Sequence, residues 1–142
     1  MQYLRLSLGV KEFIFKIVLP VMHEIEKLAL KGIYSVTQEH IISTIVRDQL
    51  GQINLANEGP KQERFALATP EGNIHELPIM IAEIICKANR FSTDYLGASH
   101  PAGCLSESVN AVKCRAIVVG VISSSQWNCG RHLVQSIDLR VK

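Results

Sequence analysis

RFALATPEGNIHELPIMIAEIICKANRFSTDYLGASHP, residues 64–101, is the stretch that decides the fold. It reads as a short buried strand over 65–68, a turn carrying a single histidine, His75, and an apolar helix over 76–89. A second strand over 91–96 and a Leu96-Gly97 turn follow. A lone imidazole at the carboxyl end of the first strand of an open α/β sheet lies where such sheets bind ligands. His75 is therefore a candidate ligand for a metal that the protein does not otherwise hold.

Downstream the alternation continues. A second helix is expected over 105–113, and the apolar, β-branched run 116–122 must be a buried strand. Residues 127–137 read as a third helix, and 139–141 as the opening of a fourth strand. Strands separated by helices imply parallel pairing with right-handed crossovers. The expectation is a short Rossmann-like (flavodoxin-like) doubly wound sheet, a truncated or compacted version of a larger fold with a poorly covered last edge.

Upstream the texture is helical. Phe13, Ile14, Ile17, Val21, Ile25 and Leu28 form one apolar stripe. Pro20 inside that run should kink or divide the helix, and Gly32 ends it. Ser35 and Gln38 make a capping-box signature for the next helix, whose stripe is Ile41, Ile42, Ile45, Val46, Leu50 and Ile53. Together these predict a small antiparallel helical bundle. The polar stretch NEGPKQE, residues 57–63, is the natural boundary, giving a helical lobe over 1–58 and a sheet lobe over 64–142.

Composition narrows the function. Hydrophobic residues make up 47% and aromatics 6% of the 142 residues, so the core is aliphatic. A net charge of +2, spread along the chain, does not by itself suggest a nucleic-acid surface. Nor does any polybasic run suggest a membrane surface. The four cysteines, Cys86, Cys104, Cys114 and Cys129, form no CxxC pair and suit neither a zinc knot nor a secreted disulfide framework. Cys86 reads as core packing. The apolar start is broken by Arg5, Lys11, Glu12 and Lys16, so neither a membrane span nor a cleaved leader is expected there. A soluble, cytoplasmic protein follows. There is no Ser-His-Asp set, GxGxxG, Walker loop or spaced acid/base pair, and we expect no enzyme. His100 and His132 read as solvated, and Trp127 as a packing anchor. The run at Ser123 and Ser124 reads equally as an ordinary strand-end turn or as part of a site.

With LPVMHEIEKLALKG, SVTQEHIIS, ATPEGNIHELP, DYLGASHP and AIVVGVISSS in this order, the chain resembles the cobalamin-binding module of MerR-type transcriptional regulators, which include light-sensing repressors. The likeness runs from about residue 10 to the C-terminus. The strand-His-helix element also resembles that of methionine synthase and of corrinoid shuttle proteins.

The resemblance implies that cobalamin is the cofactor, bound between a helical cap and the sheet lobe, with His75 as the lower axial ligand to cobalt. The displaced base and its nucleotide tail would pass Gly97 and the end of the third strand at Ser123 and Ser124. Glu39 and His40 would lie on the helix that covers the corrin, although glutamate there is also favourable first-turn chemistry. The acidic residue that the family places two positions before the histidine is Asn73 here. Its amide oxygen is a candidate acceptor for the imidazole proton, with Glu71 as a substitute. The family's glycine after the histidine is Pro78. Its tryptophan and histidine before the EH motif are Ala29 and Leu30, which suits a small upper ligand, or none, better than light sensing.

Three readings stay open: a B12-binding sensory module that associates with itself or another domain, a corrinoid carrier of a methyltransferase system, and a degenerate interaction module without cofactor. DNA would be reached only through a separate or missing winged-helix domain, and no membrane partner is expected.

Overall fold

The computed structural model describes residues 8–56 and 63–121. The chain forms two compact units, residues 1–57 and 58–142.

In the first unit, α1 (Val10–Phe13) runs into a π-helical turn (Ile14–Val18) and then α2 (Leu19–Leu30). The expected break at Pro20 is displaced upstream. A proline ring clashes with the carbonyl four residues before it and supplies no N–H. Here the ladder widens just ahead of Pro20, where the Leu19 N–H donates to the Ile14 carbonyl. A π-turn absorbs the extra residue without ending the helix. At the far end, the Gly32 and Ile33 N–H groups donate to the Ala29 and Leu28 carbonyls, a Schellman closure. The helix α3 (Val36–Ala56) then begins on the expected capping box. The Gln38 N–H donates to Ser35 Oγ (3.3 Å), and the Ser35 N–H to Gln38 Oε1 (2.9 Å).

Helices α2 and α3 pack on one another. Phe13, Ile14, Val18, Ile25, Val46, Leu50 and Ile53 are buried. Ile41 and Ile45, read as core, stay about half exposed at 56% and 51%. Among the described residues this unit packs one helix pair, which buries a narrower stripe than a full bundle does.

In the second unit the described residues form a three-stranded parallel sheet in the order β2-β1-β3. It comprises β1 (Arg64–Pro70), α4 (Leu77–Ala88), β2 (Ser92–His100), α5 (Ala102–Val112) and β3 (Ala116–Val119). The central strand β1 is buried from Ala66 to Pro70, as a strand covered on both faces must be. Right-handed crossovers with this order place α4 and α5 on opposite faces. Ala68 packs with Leu105 of α5, joined by Leu96, Ile117 and Val119. Thr69 and Ile79 of α4 both flank Gly120. At the amino-terminal end, Phe65 and Phe91 meet edge to face at 4.9 Å.

One boundary moves for an instructive reason. β2 does not end at a Leu96-Gly97 turn but continues to His100. Its register against β1 slips between Tyr95 and Gly97 and again between Gly97 and His100. Bulges of this kind bend a strand without ending it, and Gly97 supplies the backbone at φ +96°. Helix α5 likewise starts at Ala102 rather than at Leu105, directly after Pro101. β3 is shorter than the expected run, although the Gly120 N–H still donates to the Ala68 carbonyl. The helix expected over 127–137, the strand over 139–141 and most of the linker lie outside the described residues. Among the described residues, no helix is long and apolar enough to cross a membrane.

Candidate functional site

In the order β2-β1-β3 the chain crosses from one sheet edge to the other between β2 and β3, so the winding reverses where the carboxyl ends of β1 and β3 adjoin. The crevice there is the usual ligand position in open α/β sheets. The loop 71–76, which carries His75, leaves β1 at that point.

A small polar network holds the loop. The Asn73 N–H donates to the Pro70 carbonyl (3.0 Å), closing a tight turn with Gly72 at φ +81°, a position that favours glycine. The Asn73 side chain is buried and both of its polar ends are used. Its Nδ2 donates to the Gly120 carbonyl (2.9 Å), bridging the ends of β1 and β3. Its Oδ1 accepts the backbone N–H of His75 (2.9 Å). Thr69 Oγ1 donates to the Asn73 carbonyl and accepts the Ser99 N–H (2.9 Å). The Gly72 N–H donates to Ser99 Oγ (3.1 Å). Strand ends and loop thus form one hydrogen-bonded unit, with Thr69 and Asn73 fully buried. Burial of these groups is tolerable only because each is paired.

Asn73 therefore acts differently from the expectation. Its amide oxygen accepts the His75 main chain and not the imidazole proton, so it positions the residue through the backbone. The His75 side chain is exposed, with no hydrogen-bond or ion-pair partner among the described residues. Glu71 is exposed as well. Ile74, between the buried Asn73 and His75, is 71% exposed, so the loop presents an apolar side chain beside an imidazole.

His100 is also corrected. It is half-buried, not solvated: its Nε2 lies 2.6 Å from the Leu96 carbonyl oxygen, across the β2 bulge. Neither Thr69, Ser99 nor His100 was legible as part of this region. Thr69 and Ser99 lie 30 residues apart, and periodicity carries no information on such a meeting. The Ser-His-Pro step after the second strand was the one available signal.

In the helical unit, Glu39 stands in the first turn of α3. With Glu26, Ala29, Leu30, Tyr34 and Val36 it lines a shallow groove of about 280 Å³. Ala29, Leu30 and Glu39, singled out separately along the sequence, thus share one surface. His40 is exposed, and its carbonyl accepts Thr44 Oγ1 (2.8 Å). Ser123 and Ser124 lie outside the described residues, as do Trp127, Cys129 and His132.

No protein-family model matches the chain, and no curated protein matches it. Among solved structures, it is similar to one described as a 1.5 Å crystal structure of a novel cobalamin-binding protein from Desulfitobacterium hafniense DCB-2. The match covers 81% of this chain and 55% of that one, at 19% identity and a TM-score of 0.50. The two share a fold. That fold is mixed α/β, a Rossmann-like sheet domain with a helical part, and this chain spans about half the length of the other protein.

Proposed function

We propose that the chain is a cobalamin-binding module with His75 as the lower axial ligand to cobalt. The observation that carries this reading is the presentation of that one imidazole. It is exposed at the carboxyl end of β1, free of partners among the described residues, on a loop whose backbone Asn73 pins. A site built wholly from protein side chains needs three or four ligands. A metal carried in its own macrocycle needs only an axial donor, and neutral imidazole suits that role. The fold shared with a cobalamin-binding protein supports the same reading.

Bound, the cofactor supplies a cobalt centre with an exchangeable upper ligand. The chain's own contributions are distinct. Asn73 holds the loop, and Gly97 would line the path of the nucleotide tail. In this reading the module is regulatory, of the MerR type, and not an enzyme. Occupancy is passed to self-association or to a DNA-binding partner.

The test is direct. Hydroxo-, methyl- and adenosylcobalamin are mixed with wild type and His75→Ala, desalted, and followed by visible spectra. Wild type is expected to retain colour with a spectral shift that His75→Ala abolishes. A colourless protein fraction with all three cofactors rejects the proposal.

A further inference from the structure

Gly97 is a bulge residue with positive φ, and a Cβ built on it would meet a single side chain among the described residues. That side chain is His100, whose Nε2 would lie 3.9 Å away. The imidazole is anchored there by its 2.6 Å contact to the Leu96 carbonyl oxygen. The backbone on either side is constrained. Ser99 is held at φ +57°, a costly conformation for a residue with a side chain. Its N–H bonds to Thr69 Oγ1 and the Asn73 carbonyl, and its Oγ to the Gly72 N–H. Pro101 restricts His100 from the other side. Strain kept in place by two hydrogen bonds from the loop that carries His75 and one from Thr69 of β1 marks the His100 ring as a built feature.

We infer that His100 is a specificity-determining residue for the class of corrinoid: its ring edge lies against the Gly97 face, so the site favours a corrinoid lacking the lower nucleotide over complete cobalamin. This inference rests on the cobalamin reading above, in which the tail passes Gly97. A nucleotide tail must break the His100–Leu96 contact and turn the ring out. A cobinamide, which offers cobalt to His75 with no tail, leaves the ring where it is. The bonds from Gly72 and Asn73 to Ser99 tie the His100 segment to the His75 loop, so turning the ring out also works against the loop that presents the axial ligand.

The test measures dissociation constants of aquocobinamide and hydroxocobalamin by visible titration and equilibrium dialysis, for wild type, His100→Ala and His100→Gln, with circular dichroism as a check of folding. Wild type should prefer aquocobinamide by roughly tenfold, the scale of one hydrogen bond broken and one ring displaced. His100→Ala should remove most of that preference by tightening hydroxocobalamin binding, with aquocobinamide little changed. His100→Gln, which keeps a donor for the Leu96 carbonyl, should retain the preference. Equal binding of both corrinoids by wild type, or a ratio unmoved in His100→Ala, overturns the inference while leaving the cobalamin reading intact. Binding of neither corrinoid by wild type overturns both.

Discussion

The helical unit and the sheet unit dispose of their polar groups in opposite ways. In the helices the pairs Lys16–Glu12 (2.7 Å) and Lys27–Glu24 (3.3 Å) and the Ser35–Gln38 cap of α3 are local and solvent-facing. Large apolar side chains nearby stay open, with Leu30 at 83% and Val36 at 67% exposure. In the sheet unit Thr69, Asn73 and Glu83 are buried. Each is matched by a partner from another element or a neighbouring turn. Glu83 meets Lys87 Nζ at 3.1 Å and accepts Thr93 Oγ1 at 3.0 Å. Exposed local pairs contribute little to stability and tolerate change. Buried networks are costly when one member is lost, and they specify a single geometry. The contrast locates the geometric specification of this protein at the carboxyl edge of the sheet.

The severest way to break that contrast is Asn73→Asp, the exchange that would restore the acidic residue of the resembled family. Aspartate has no amide to donate to the Gly120 carbonyl, and it buries a charge in its place. We expect a loss of about 2–4 kcal/mol at neutral pH in urea unfolding. The folded carboxyl would hold its proton to higher pH than the unfolded one. The loss should therefore shrink as pH falls and the acid regains an O–H donor. An unaltered midpoint would show that the buried network is not what distinguishes the sheet unit.

Ser35→Ala tests the other side of the comparison. Removing the cap of α3 should cost about 1 kcal/mol in thermal or urea unfolding, the usual value of a helix N-cap. A loss as large as that of Asn73→Asp would erase the distinction between local and buried polar groups.

The smallest effect concerns reactivity. Burial, with the Glu83 carboxylate adding to it, pushes the Cys86 thiol above its ordinary range. Only the thiolate reacts readily. Iodoacetamide at about pH 8, near the ordinary thiol pKa, should label the exposed Cys104 first. Cys86 should follow only at more alkaline pH, as peptide mass mapping would report. Labelling of Cys86 ahead of Cys104 would contradict the packing described for α4.

Much of the architecture was readable from the chain. The capping box of Ser35 and Gln38 is local, so its residue types at that spacing suffice to identify it. The buried run around Leu67 and the helix around Ile84 follow from apolar pattern and length. The placement of His75 after β1 followed from the same alternation of strand and helix. Leu96-Gly97 was misread because a glycine after a strand serves a turn and a bulge equally well, and only the partner strand distinguishes them. Ile41 and Ile45 fit the apolar stripe yet stay half exposed, because the width of a buried helical stripe depends on how many neighbours the helix has.

By itself, then, the sequence determined the periodicities: which segments coil, which extend, where the capping box starts a helix, and that one histidine follows the first strand of the sheet lobe. Those features rest on contacts between residues a few positions apart. Tertiary structure alone decided that Asn73 spends its side chain on Gly120, 47 residues away, and on the His75 main chain. It likewise decided that the Ser99 N–H reaches Thr69 and that the His100 imidazole meets the Leu96 carbonyl beside Gly97. A buried polar group must find a partner, and sheet register determines which group lies within reach.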